Sequence, residues 1–191
     1  MPVSTRISSV RHLIYISAIR ALETITFGDK QAATMKSDMT EADLSGKELG
    51  ASGAIIVSAF LPKCRYVPHH PDILFANTCT VHTTIRALVS VNFLDNEIDA
   101  EQAHKLATIL KEHATLKSLC GNKGDETVLD MSSKNMGVDG AIMLAPEIVA
   151  NGALTSLNLS ENELCGIDED GDGEYDASGV TALADAIGKH Q

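Results

Sequence analysis

Two stretches of this chain carry the same order of apolar and polar positions. Leu88, Val91, Phe93 and Ile98 in one, and Leu154, Leu157, Leu159 and Leu164 in the other, hold the first, fourth, sixth and eleventh places of a common frame, with Asn96 and Asn162 at the ninth. The alternating apolar places predict a short strand followed by a turn. From Ser178 the spacing changes to Val180, Leu183, Ala184 and Ile187, the i, i+3, i+4, i+7 face of a helix. The two stretches also align over their helices, Asp99 to His113 against Asp176 to His190.

A second pair of stretches carries a variant of the frame. Leu22-Glu23-Thr24-Ile25, a polar stretch from Gly28, and Ala42 to Gly50 correspond to Leu116-Lys117-Ser118-Leu119, Gly121-Asn122-Lys123, and Leu129 to Gly137. Both then open a helix, at Ala51-Ser52-Gly53-Ala54-Ile55 and Val138-Asp139-Gly140-Ala141-Ile142. Asn at the ninth place can satisfy backbone groups left open where a strand bends. Lys47 and Lys134 occupy that place in the variant units. A lysine accepts no hydrogen bond, so their turns are expected to be built differently. One strand and one helix cannot bury both apolar faces, so the units are expected to stack.

The spacing LxxLxLxxNxL, with Gly179-x-x-x-Leu183-Ala184-x-Ala186-Ile187 behind it, resembles the leucine-rich repeats of the ribonuclease-inhibitor-like class. The resemblance covers about residues 21 to 61 and 87 to 190. It implies an α/β leucine-rich-repeat solenoid, a right-handed horseshoe with a parallel sheet on its concave side and helices outside. The expected organisation is an N-terminal capping helix or targeting segment over 1–20, then a domain of about four irregular units over 21–191, with an irregular insertion at 62–86. The resemblance also implies protein binding through the strand face. Asn92, Asp130, Ser132, Thr155, Asn158 and Ser160 are the contact residues that repeat geometry suggests.

Charge narrows the partner. Twenty-six acidic against 15 basic residues give a net charge of -11, which argues against a nucleic-acid backbone or an anionic membrane surface. A protein partner, or a place in a multiprotein complex, remains. No apolar run approaches the length of a transmembrane helix, about 20 residues. Cys64, Cys79, Cys120 and Cys165 are widely spaced and read as reduced thiols of an intracellular, cytoplasmic protein. The first 22 residues hold Arg, Ser and Thr but no carboxylate, a composition shared with organellar targeting peptides. Helical spacing of Val10, Leu13, Ile14, Ser17 and Ala18 favours a capping helix. The chain stops at Gln191 where another strand would start, so the last layer is expected to present an open face to a partner.

Little points to chemistry. No phosphate loop, GxSxG or HExxH is present, and no cofactor is expected. Cys79 and His82 stand one helical turn apart without a third group to orient them. His69, His70 and Asp72 lack further marked metal ligands. Asp168, Asp170, Asp172 and Asp176, with Gly173, imitate the first half of a calcium loop, but Gly179 stands where the bidentate Glu is required. The run reads first as a solvated acidic insertion between strand and helix. The leading function is therefore a non-catalytic interaction or scaffolding module; the alternative is a calcium-responsive adaptor through residues 168–176.

Overall fold

Strands form where small or aliphatic residues alternate with polar ones, and the first three do so near the N-terminus. The computed structural model describes residues 3–6, 22–28, 30–63, 88–168 and 170–190. Val3–Arg6 (β1) runs parallel to Leu22–Phe27 (β2), which pairs antiparallel with Ala33–Lys36 (β3). Ala33 and Met35 are buried while Thr34 and Lys36 face water, the two-residue period of a half-buried strand. Gly28 makes the β2–β3 turn possible. Its φ is +104°, and a Cβ there would collide with the Gln31 carbonyl.

Glu41–Asp43 (β4) then leads into Gly50–Phe60 (α1) and a short 3-10 turn, Leu61–Lys63. Ser90–Asn92 (β5) precedes Ala100–Glu112 (α2), Val128–Asp130 (β6) precedes Val138–Ala150 (α3), and Ser156–Asn158 (β7) precedes Ser178–Lys189 (α4). Asp99 caps α2 by accepting a 2.7 Å hydrogen bond from the Gln102 N–H. Consecutive helices pack on one another, α1 on α2, α2 on α3 and α3 on α4. Between helices and strands lies one apolar cluster, with Phe27, Phe60, Phe93, Leu106, Leu119 and Met136 fully buried.

The expected α/β leucine-rich-repeat solenoid, a right-handed horseshoe lined by one parallel sheet, is not the fold. The strands form three separate sheets: the mixed β1–β2–β3, the parallel pair β4–β5 and the parallel pair β6–β7. The first departure is β3, whose antiparallel pairing lies in the stretch read from sequence as polar connection. The second is the segment after α2. Lys117 to Gly121 follows the free edge of β5, exchanging bonds such as Val91 N–H to Ser118 O at 2.9 Å and Lys117 N–H to Val89 O at 2.7 Å. The run is broken: Ser90 and Ser118 bridge in parallel sense, Asn92 and Cys120 in antiparallel sense. On its far side the Leu119 and Cys120 N–H groups turn to the Glu147 carboxylate of α3. Donors used in that way cannot continue a sheet from β5 to β6.

The lysine turns also differ from expectation. Left-handed backbone recurs at Gly46 and Glu48, Asp95 and Glu97, and Ser133 and Asn135, so both variant turns share the shape of the first plain turn; the last plain turn keeps it at Glu161 alone. The missing acceptor comes from the neighbouring unit. Asn96 accepts from the N–H groups of Lys47 (3.3 Å) and Leu49 (3.2 Å), and donates to the Leu44, Phe93 and Leu94 carbonyls. Asn162 repeats the arrangement, accepting from Lys134 and Met136 N–H and donating to Met131, Leu159 and Ser160 carbonyls. One asparagine serves two turns, which is why the variant unit needs none of its own.

The last helix buries a narrower face than its periodicity suggested. Gly179, Leu183 and Ala186 are buried, whereas Val180 is 45% and Ile187 54% exposed. Gly179 sets the approach to α3: a Cβ there would stand 2.6 Å from the Leu164 carbonyl oxygen and 3.0 Å from Ala141 Cβ. The helical spacing of Val10 to Ala18 and the segment holding His69, His70, Asp72, Cys79 and His82 lie outside the described residues. No helix among the described residues is long and apolar enough to cross a membrane.

Candidate functional site

Three consecutive helices leave a groove of about 710 Å³ on the side of the molecule away from the strands. Its floor is α3, through Ile142, Ala145, Pro146, Val149 and Ala150; its walls are α2 and α4, through Ala107 and Leu110 and through Ala182 and Ala186. The depth follows from side-chain size. Five of these positions are alanine, so no long apolar chain fills the space between the walls. Val149 is 45% exposed within it.

The charge around the groove has the opposite sign to that of the chain. Lys111 in the last turn of α2, Lys117 in the loop that follows and Lys189 in the last turn of α4 all line it, with His104 further along α2. Asp185 is the one exposed carboxylate among the lining residues. The ion pairs among the described residues are Lys30 with Glu48 and Lys105 with Glu101, so none of the three groove lysines is tied to a carboxylate there. Lys111 and Lys189 also offset the negative dipole ends of their own helices. Lys117 lies in a loop and has no such task.

Beneath one wall lies Glu147, only 4% exposed. One carboxylate oxygen accepts from the N–H groups of Leu119 (2.7 Å) and Cys120 (3.1 Å). The other accepts from Ser118 Oγ (2.8 Å) and Asn122 Nδ2 (2.9 Å). Ser118 Oγ in turn accepts from the N–H groups of Cys120 and Asn122. The cluster fastens the loop after α2 to the last turn of α3 and so fixes Lys117 at the groove edge. Burial pushes the Glu147 carboxyl above its ordinary range, although the four donors pull the other way. Burial, and then the Glu147 charge, push the Cys120 thiol well up, so it stays protonated and a poor nucleophile.

A pH dependence follows. A carboxyl whose folded value lies above its unfolded one holds a proton that the unfolded chain has released, so stability falls as pH rises through the interval between them. Urea midpoints are expected to decline as pH climbs from about 4.3, the ordinary glutamate value, through the raised Glu147 value. Subtracting the same titration of Glu147→Gln separates this contribution from that of Asp139, which burial also raises, and from those of Asp43, Glu126, Asp130 and Asp176, which hydrogen bonds hold low. Parallel profiles for the two proteins would remove Glu147 as the source.

No protein family and no curated protein matches the chain. The residues expected to form a contact face are distributed as follows. Asp130 of β6 lies opposite Asn158 of β7, and Asn158 Nδ2 donates to Asp130 at 3.1 Å. Ser132 and Ser160 each give their N–H and hydroxyl to the Asx side chain two residues earlier. Thr155 donates its hydroxyl to the Thr127 carbonyl. Asp130 and Asn158 belong to the β6–β7 pair, and Ser132, Thr155 and Ser160 lie just beyond its ends. Asn92 is half-buried in the other pair, on β5 opposite Asp43.

The acidic insertion forms its own small hairpin. Ile167 and Gly173 bridge, and Asp168 Oδ1 accepts from the N–H groups of Asp170 and Asp172. Asp176 is turned to the start of α4, accepting from Ser178 N–H at 2.8 Å. Among the described residues no three His, Cys, Asp or Glu side chains are gathered to hold a metal ion. Glu147 and the groove lysines were missed from sequence. Glu147 had left a signal, since a lone carboxylate in Met143-Leu144-Ala145-Pro146-Glu147-Ile148 falls on a helix face whose i−3 and i−4 neighbours are apolar.

Proposed function

We propose that the chain is a non-catalytic protein-interaction module that binds its partner through the groove over α3. The observation that carries this reading is a groove with alanines on its floor and both walls and, at its edge, three lysines that make no ion pair among the described residues, on a chain of net charge -11. The chemistry of the lining supports binding rather than turnover. Glu147 spends both oxygens on four donors, and the Cys120 thiol beside it is buried and protonated.

The test compares two surfaces of one protein. Ala150→Trp, at an exposed groove position, fills the groove without disturbing the core. Thr155→Ala with Ser160→Ala removes hydroxyls from the β6–β7 face. Tagged full-length chains recovered from the native source are expected to lose their bound partner in the first variant and keep it in the second. The opposite pattern would transfer the function to the strands, and an unchanged partner in both would sink the proposal.

A further inference from the structure

The groove also constrains what enters it, an inference that rests on its being the binding surface. We infer that the occupant is an amphipathic helix of a partner protein, apolar along one face and carrying carboxylates at one end. Shape gives the first half. A channel with one helix as floor and two as walls matches a fourth helix, whose diameter is about 10–12 Å with side chains. Half-buried Ala182 and exposed Ala150 carry short side chains that let that helix come close, and Val149 offers an uncovered apolar contact. Helix-in-groove recognition takes its affinity from such an apolar face.

Charge gives the second half. Lys111 and Lys189 belong to the C-terminal turns of the two walls, Ala150 ends the floor helix, and Lys117 lies in the loop next to them. The cations therefore gather towards one end of the groove. Elsewhere the chain is dominated by carboxylates, so an acidic partner is repelled from most of the surface and drawn to this end. Complementary charge of this kind fixes the direction in which a helix lies and rejects a basic one.

The probe is a synthetic helical peptide of about 18 residues, with leucines at i, i+3, i+4, i+7 spacing and three Glu in its first turn, where a helix tolerates them best. Fluorescence anisotropy with the full chain is expected to show binding that weakens as salt is raised. Replacing the three Glu by Gln is expected to weaken it about tenfold, the sum of three exposed ion pairs. The triple variant Lys111→Glu, Lys117→Glu, Lys189→Glu is expected to lose the acidic peptide and take up a version with Lys in place of Glu. Equal binding of the acidic and neutral peptides, or binding of neither at millimolar concentration, overturns the inference. If that happens while Ala150→Trp still loses the native partner, the groove stands and only the partner's chemistry falls. If Ala150→Trp keeps the native partner, the groove itself is wrong.

Discussion

Glu147→Ala is expected to lower the stability of this protein by about 3 kcal/mol. The substitution leaves four donors facing a void: the N–H groups of Leu119 and Cys120, the Ser118 hydroxyl and the Asn122 amide. Each unsatisfied buried donor costs about 1–3 kcal/mol, and the full sum is not reached because water can enter from the adjoining groove. A chain of this size then melts about 6–12 °C lower. Glu147→Gln is expected to cost far less, about 1 kcal/mol, because Asn122 can turn its amide and offer oxygen to the new NH2. Thermal melts of the two variants against wild type provide the measurement. Similar losses for Ala and Gln would mean that the negative charge, and not the set of acceptors, holds the loop. The Ala variant is also expected to weaken groove binding, since the loop carrying Lys117 loses its anchor.

Asn96→Ala comes next, at about 3 kcal/mol, while Asn162→Ala, with five equivalent partners in its own pair of turns, should cost about 1 kcal/mol. The difference is water. Asn96 is fully buried between the β4 and β5 turns, so its loss strands Lys47 and Leu49 N–H and the Leu44 carbonyl. Asn162 is half-exposed, and solvent can take over the bonds to Lys134, Met136 and Met131. The two asparagines lie in different strand pairs and share no partner, so the double variant is expected to show additive losses. Urea unfolding of both singles and the double checks this. Equal costs for the two singles would show that burial is not what separates them.

The strand–turn–helix order of the units was legible in the chain. The helices opening at Gly50, Ala100, Val138 and Ser178 and the buried places Leu88, Val91, Phe93 and Leu154 all follow from local spacing. The pairing partner of each turn did not follow. Lys47 and Lys134 looked like defects because the frame was read one unit at a time, whereas the acceptor they lack comes from 49 and 28 residues further along. The same limit hid β3, a strand of four residues whose alternation is too short to stand out from a polar stretch.

The candidate site was less legible than the fold. Periodicity marks which face of a helix is apolar, and it marked Val180, Ala184 and Ile187 of α4; two of these carry large exposed side chains, because the face that α3 covers is set by the close approach at Gly179. The groove exists only where three helices meet. Lys189 is separated along the chain from Lys111 and Lys117 by an entire unit and joins them at the groove through packing. By itself the sequence determined the repeating frame, the element order and the acidic balance, all of which depend on residues near one another. Only the tertiary structure decided how the strands divide into separate sheets and where the cations gather, because a buried carboxylate can redirect backbone donors from a distance that no local pattern records.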